Sequence, residues 1–138
     1  SGIGYGEYIS GSMFPYPKEY SGWHCHYLHL TNYSGMLCNS YPVNGTIDKY
    51  ARGMFINYNT LDRTWLTYKD FKFQNTQIYE EYKIGWDVEI YKLNLSLKLV
   101  PVINNQFIQY PITKAWQGTI KIGGSDIGIG FSEIIKIN

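Results

Sequence analysis

The sequence predicts an all-β fold, an antiparallel barrel of about eight to ten strands. Aromatic residues make up 17% of the chain and isoleucine is abundant, and both kinds of side chain favour a pleated surface. Alanine, the best helix former, occurs only at Ala51 and Ala115. Apolar and polar residues alternate with a period of two in one segment after another, as they do in half-buried antiparallel strands.

The predicted strands follow one another along the whole chain, separated by short connections that carry several of the prolines. Charged residues make up only 17% of the chain, so open strand edges would have little protection and we expect the sheet to close. The predicted strands are residues 3–10, 23–31, 35–41, 53–58, 65–69, 71–78, 84–90, 91–99, 106–110, 116–122 and 127–137.

The segments 84–90 and 91–99 show the alternation most clearly, but they are out of phase. If both segments formed a single flat strand, the apolar residues of one segment would face water: either those that alternate with Trp86 or those that alternate with Leu97. We therefore predict a bulge or a tight turn between the two segments. The same alternation places Asp87 and Glu89 on the face opposite Trp86, so both carboxylates should face solvent.

Charge, hydropathy and motifs exclude several classes of function. Twelve Lys and Arg against eleven Asp and Glu give a net charge of +1 without a basic run, so nucleic acid is not an expected partner. No apolar stretch approaches the roughly 20 residues of a membrane-spanning helix. No G-x-S-x-G, P-loop or H-E-x-x-H motif occurs, and no cofactor is predicted. Cys25 and Cys38 allow one disulfide or none, so the cysteines do not indicate whether the protein resides in an oxidising or a reducing compartment.

An internal repeat joins the two ends of the chain. Gly2–Ile9 and Gly128–Ile135 share the pattern G-I-G-aromatic-x-E-x-I, which predicts two equivalent strands carrying Glu7 and Glu133 in equivalent places. A glutamate in such an apolar strand either pairs with a basic residue or points into a cavity with a raised pKa. We favour pairing.

Three histidines lie close together in one predicted strand. His24 and His26 share a face, and His29 lies on the other. Two imidazoles so placed can bind Zn or Fe, but no later histidine exists and the third ligand would have to be a carboxylate. We interpret both as ordinary strand histidines and predict no metal site.

A series of motifs along nearly the whole chain resembles one known family. They are the block at 2–5, the G-W strand at 22–30, the strand ending at Tyr41, the paired strands at 86–90 and 93–101, the block at 115–124 and the closing block at 128–133. In this order they resemble the carotenoid 1,2-hydratase (hydroxyneurosporene synthase)/AttH-like family. The resemblance implies a lipocalin-like β-barrel over residues 1–138, expected to be the second, C-terminal barrel of a two-barrel parent.

The family resemblance also implies a function. The first hypothesis is a barrel that binds an apolar small molecule, terpenoid- or polyene-like. The second is a hydratase, isomerase or cyclase with Glu7 and Tyr41 as catalytic acids. The family's opening block has His and Trp where this chain has Tyr8 and Ser10, and its further acid falls on Val43. The third hypothesis is a structural half that packs on a second barrel or on another copy of the chain.

Aromatic side chains are the candidate lining of an apolar pocket. The predicted ligand-binding residues are Trp23, Tyr27, Trp86, Trp116 and Phe131. Aromatic residues also simply fill barrel cores, and a barrel of this size either is plugged by side chains or holds one small ligand. Composition leaves both alternatives open.

Overall fold

The computed structural model describes residues 19–111 and 113–136, so the predicted strand 3–10, with Glu7 and the first copy of the repeat, lies outside the described residues. The described residues form ten strands and one 3₁₀ helix, with no α-helix among them. The strands are β1 (Tyr20–Leu30), β2 (Tyr33–Pro42), β3 (Arg52–Asn57), β4 (Arg63–Thr67), β5 (Phe71–Tyr79), β6 (Tyr82–Ile90), β7 (Leu95–Pro101), β8 (Phe107–Gln109), β9 (Lys114–Gly124) and β10 (Gly128–Lys136).

All ten strands belong to one antiparallel sheet. Its order is β4-β3-β2-β1-β10-β9-β7-β6-β5, and β8 pairs with β9 beside β7. The last strand returns to pair with the first over its full length, with Gly22 opposite Lys136 and Leu30 opposite Gly128. The predicted all-β antiparallel fold is therefore confirmed.

The sheet curls into a barrel around one core. Leu66 of β4 and Phe71 of β5, at the two ends of the strand order, belong to the same buried cluster as Phe55 and Leu97. Within the described ranges no ladder joins β4 to β5, so the expected closure by backbone pairing is not observed between these two strands, although both contribute side chains to the one buried cluster. The Lys92 ammonium group also crosses this gap, donating to the Trp65 carbonyl oxygen at 3.0 Å.

The phase change between the two alternating segments is resolved by a tight turn, as predicted. A 3₁₀ helix at Tyr91–Leu93 separates β6 from β7, and Asn94 after it adopts a left-handed φ of 52°. Both apolar sets thus reach the core, and Tyr91 is left exposed. Asp87 faces outward and pairs with Lys98 at 3.2 Å, which confirms the solvated position predicted for it.

The turn between β9 and β10 explains one glycine. Gly124 has a φ of +106°, and a Cβ at this position would collide with the carbonyl oxygen of Ser96. L-residues with side chains rarely adopt such a conformation. Gly124 is the last residue of β9 and lies opposite Leu97, so this conformation lets the end of β9 pair directly with β7.

Cys25 and Cys38 face each other across β1 and β2 and form a disulfide, with Cα atoms 4.2 Å apart. The structure thereby decides the alternative that the sequence left open.

In the part of the chain that is described, no helix is long and apolar enough to cross a membrane.

Candidate ligand-binding cavity

A cavity of about 650 Å³ opens at one end of the barrel. Because neighbouring strands are antiparallel, the start of β1 and β6 and the end of β2, β5 and β10 meet at this end. Ligand pockets typically measure about 300–1,000 Å³. Its lining includes Ser21, His24, Asn39, Ser40, Tyr41, Phe73, Asn75, Glu81, Lys83, Trp86, Ile134 and Lys136.

The floor of the cavity is aromatic. The Trp86 ring stacks on the His24 imidazole with centroids 4.3 Å apart and planes at 5°. Tyr41 stacks on the same imidazole at 5.2 Å, and Phe73 meets it edge-on at 4.7 Å. These contacts bring together side chains from four strands, and each ring limits the rotation of the others.

A hydrogen-bonded chain runs under this floor. His24 Nδ1 lies 2.7 Å from His26 Nε2, and His26 Nδ1 lies 2.7 Å from Ser132 Oγ. At the cavity side, Asn39 Nδ2 lies 3.1 Å from His24 Nε2. An amide nitrogen only donates, so His24 Nε2 accepts and Nδ1 carries the proton. His26 Nε2 then accepts from His24, and His26 Nδ1–H donates to Ser132.

Both imidazoles are neutral at pH 7. Burial lowers the pKa of His26 from 6.5 to about 3. Burial lowers the pKa of His24 well below 6.5, and the neighbouring His26 and the positive charge of Lys83 add to this effect. All four ring nitrogens of the pair have hydrogen-bond partners, as in ordinary buried histidines. Across residues 19–111 and 113–136, no three His, Cys, Asp or Glu side chains are grouped as metal ligands.

Two buried donors at the cavity have no hydrogen-bond partner among the described residues. They are the Tyr41 hydroxyl and the Trp86 indole N–H. Burial raises the pKa of Tyr41 above its ordinary value, so the hydroxyl keeps its proton. An unsatisfied buried donor costs about 1–3 kcal/mol.

Charged groups lie around the mouth of the cavity. Lys136 forms an ion pair with Glu81 at 3.3 Å. The Lys83 ammonium lies 5.4 Å from the centre of the Tyr41 ring, and no described carboxylate lies within ion-pair distance of it. In the described part of the lining, Lys83 is therefore a cation that no carboxylate compensates.

The structure brings two of the predicted site residues, Tyr41 and Trp86, together at this cavity. Trp23 and Tyr27 lie on the opposite face of β1 from His24, because successive side chains of a strand alternate. Phe131 lies on that outer face too, with its ring 6.4 Å from the Tyr27 ring.

Trp116 is fully buried in the core, where its indole N–H donates to the Asn104 carbonyl oxygen at 2.6 Å. It does not line the cavity. We expected Glu133 to pair with a basic residue or to point into a cavity. Among the described residues it forms no ion pair, and it is not part of the lining of this cavity. It lies beside Trp23 on the outer face and accepts hydrogen bonds from Trp23 Nε1 and Gln117 Nε2.

Sequence reasoning missed the role of His24, Phe73, Asn39 and Lys83 in this end of the barrel. For His24, the signal was present. His24 and His26 share the even positions of β1 with Leu28 and Leu30, and a run of that parity indicates the buried face.

A curled antiparallel meander with a ligand-sized cavity at one end defines a lipocalin-like all-β barrel. Among solved structures, the chain is similar to a protein from Nitrosomonas europaea that was provisionally named AttH, with a TM-score of 0.76 and 13% identity. The match covers 87% of this chain and 40% of that one, so this chain spans less than half of the neighbour. At this identity the similarity shows the fold alone. No protein-family model and no curated protein matches the sequence.

Proposed function

We propose that this chain binds a largely apolar small molecule, terpenoid- or polyene-like, in the cavity at the end of the barrel. The observation that carries the proposal is the combination of volume and lining: about 650 Å³, with an aromatic floor and a polar rim. Pockets for small molecules are mostly apolar with a few polar groups that fix orientation.

The aromatic floor suits a flat or conjugated ligand. The rings of Trp86, Tyr41 and Phe73 pack in fixed orientations around His24. A ligand therefore binds to a rigid surface, and the protein side chains lose little conformational entropy on binding. At about −0.3 kcal/mol per non-hydrogen atom, a ligand of about 20 such atoms gains about −6 kcal/mol. The expected Kd is therefore on the order of tens of micromolar.

Tryptophan fluorescence during titration with retinol tests the proposal. Binding at the floor should quench the emission of Trp86 and leave that of Trp65, which is 69% exposed on β4, unchanged. In Trp86→Phe the ligand-dependent change should disappear, and in the matched Trp65→Phe variant it should persist.

A negative control for folding accompanies this titration. Circular dichroism checks that both tryptophan variants keep the β spectrum. A third variant, Phe73→Leu, retains most of the side-chain volume and removes no fluorophore, and it should weaken binding several-fold. No quenching of the native chain at about 200 µM ligand, or full quenching in Trp86→Phe, would overturn the proposal.

The geometry favours binding over the hydration of an alkene. Protonating an isolated double bond needs a strong general acid. Of the described residues that line the cavity, Glu81 is the single carboxylate, and it is paired with Lys136. Burial makes Tyr41 a weaker acid than a free phenol. Glu7 stays a predicted acid outside the described residues, and turnover of a polyene by Glu7→Gln tests it: unchanged turnover would remove Glu7 from any mechanism.

A further inference from the structure

We infer that the ligand carries a carboxylate head group, which accepts hydrogen bonds from Tyr41 and Trp86 and faces the Lys83 ammonium. This inference rests on the proposed function and specifies the class of ligand: an amphiphilic acid with an apolar, isoprenoid or fatty tail.

Tyr41 and Trp86 each have a buried donor without a partner among the described residues. The indole N–H of Trp86 can only donate, and the Tyr41 hydroxyl, which keeps its proton, supplies a second donor. Both groups are buried against the same His24 ring. The nitrogens of that ring are already engaged with Asn39 and His26. These two lining side chains therefore carry donors in excess, and the complement of a donor is an acceptor.

The charged side chains of the lining indicate the sign of charge that a ligand should carry. The charged residues in the lining are Lys83, Lys136 and Glu81. Because Lys136 and Glu81 pair with each other at 3.3 Å, Lys83 is left to determine the local potential. Its ammonium lies 5.4 Å from the ring of Tyr41, one of the two unpaired donors. Charge-assisted hydrogen bonds to an ionised acceptor are roughly twice as strong as neutral ones, so a carboxylate is favoured over a hydroxyl or a carbonyl.

The apolar side chains of the lining indicate where the tail of the ligand lies. They include Phe73, Ile134 and the face of Trp86. These groups border the same floor as the donors, so a molecule with its head at Tyr41 contacts them with its chain. A ligand that was polar throughout would bury its polar groups against hydrocarbon without partners.

The test compares two ligands that differ only in the head group, retinoic acid and retinol, by quenching of tryptophan fluorescence at pH 7.5. In the native chain the acid should bind about tenfold more tightly than the alcohol. Lys83→Met should lower the affinity for retinoic acid alone, so that the affinities for the acid and the alcohol differ by no more than about threefold. The matched control Lys98→Met, which removes a lysine paired with Asp87 on the outer face, should preserve the preference.

Salt provides a second measurement that needs no variant. Raising NaCl from about 50 to about 500 mM should lower the affinity for the acid several-fold and leave the affinity for the alcohol unchanged. Equal affinities for acid and alcohol, or a preference that survives both salt and Lys83→Met, would overturn the head-group inference while the apolar cavity stands. If neither molecule binds, the proposed function itself fails.

Discussion

Acidification should destabilise this fold through His24 and His26. Both are fully buried and neutral, with pKa values lowered by burial, to about 3 for His26. In the unfolded chain both titrate near 6.5. Below that pH the unfolded state binds more protons than the folded state, so the free energy of unfolding falls as the pH falls. The stabilisation is complete above about pH 6.5 and is lost progressively towards pH 3.

The size of the effect follows from linkage. Between pH 7 and pH 5, one imidazole that is neutral when folded and has a pKa near 6.5 when unfolded lowers the free energy of unfolding by about 2 kcal/mol. The pair therefore lowers it by about 4 kcal/mol, a large share of the roughly 5–15 kcal/mol of an ordinary domain. Asp70 and Asp126 have pKa values lowered from 3.8, so their contribution is lost only at still lower pH.

Urea unfolding at pH 7 and pH 5, followed by tryptophan fluorescence, measures this difference. His26→Gln removes one titrating group and should about halve the loss on acidification. His29→Gln, on the outer face of the same strand, should show the full loss. A loss of less than about 1 kcal/mol in the native chain, or the same pH dependence in His26→Gln as in the native chain, would show that the buried histidines do not cause the acid sensitivity.

Three further changes have expected outcomes. Reducing the disulfide that closes the loop between Cys25 and Cys38 should cost about 3 kcal/mol, seen as a lower Tm by circular dichroism; an unchanged Tm would contradict this. Tyr41→Phe removes a buried hydroxyl that has no partner among the described residues. It should leave the free energy of unfolding unchanged or raise it by up to about 1 kcal/mol, while lowering the affinity for retinoic acid about fivefold. A clear loss of stability would show that the hydroxyl has a partner. Gly124→Ala places a side chain at a φ of +106° and should lower the urea midpoint, whereas Gly123→Ala, which has open space around its Cβ, should change it much less.

The strand pattern was predictable where alternation is complete. The two out-of-phase runs around Ile90 could reach one core only through a turn, and that turn is observed at Tyr91–Leu93. The pairing of β1 with β10 could not be read locally, because the two strands are separated by most of the chain. The gap between β4 and β5 also depends on the curl of the whole sheet.

The candidate site was predictable only in part. Tyr41 and Trp86 were both anticipated, but the number of aromatic residues does not tell which face of a strand is the inner one. Residues with ring side chains occur on both faces of β1, so their presence alone does not distinguish the outer Trp23 and Tyr27 from the inner His24. Among the described residues, the buried donors of Tyr41 and Trp86 have no partner. This is a property of the packed barrel that no spacing in the sequence reports.

The indole N–H resonances of the four tryptophans test whether the cavity beside His24 is the ligand site. We expect retinoic acid to shift the Trp86 resonance, assigned by its absence in Trp86→Phe, downfield as its N–H gains an acceptor, while the resonances of the exposed Trp65 and the core Trp116 stay in place. A Trp86 resonance that does not move at saturating ligand, or a Trp65 resonance that moves as far, would show that the ligand binds elsewhere.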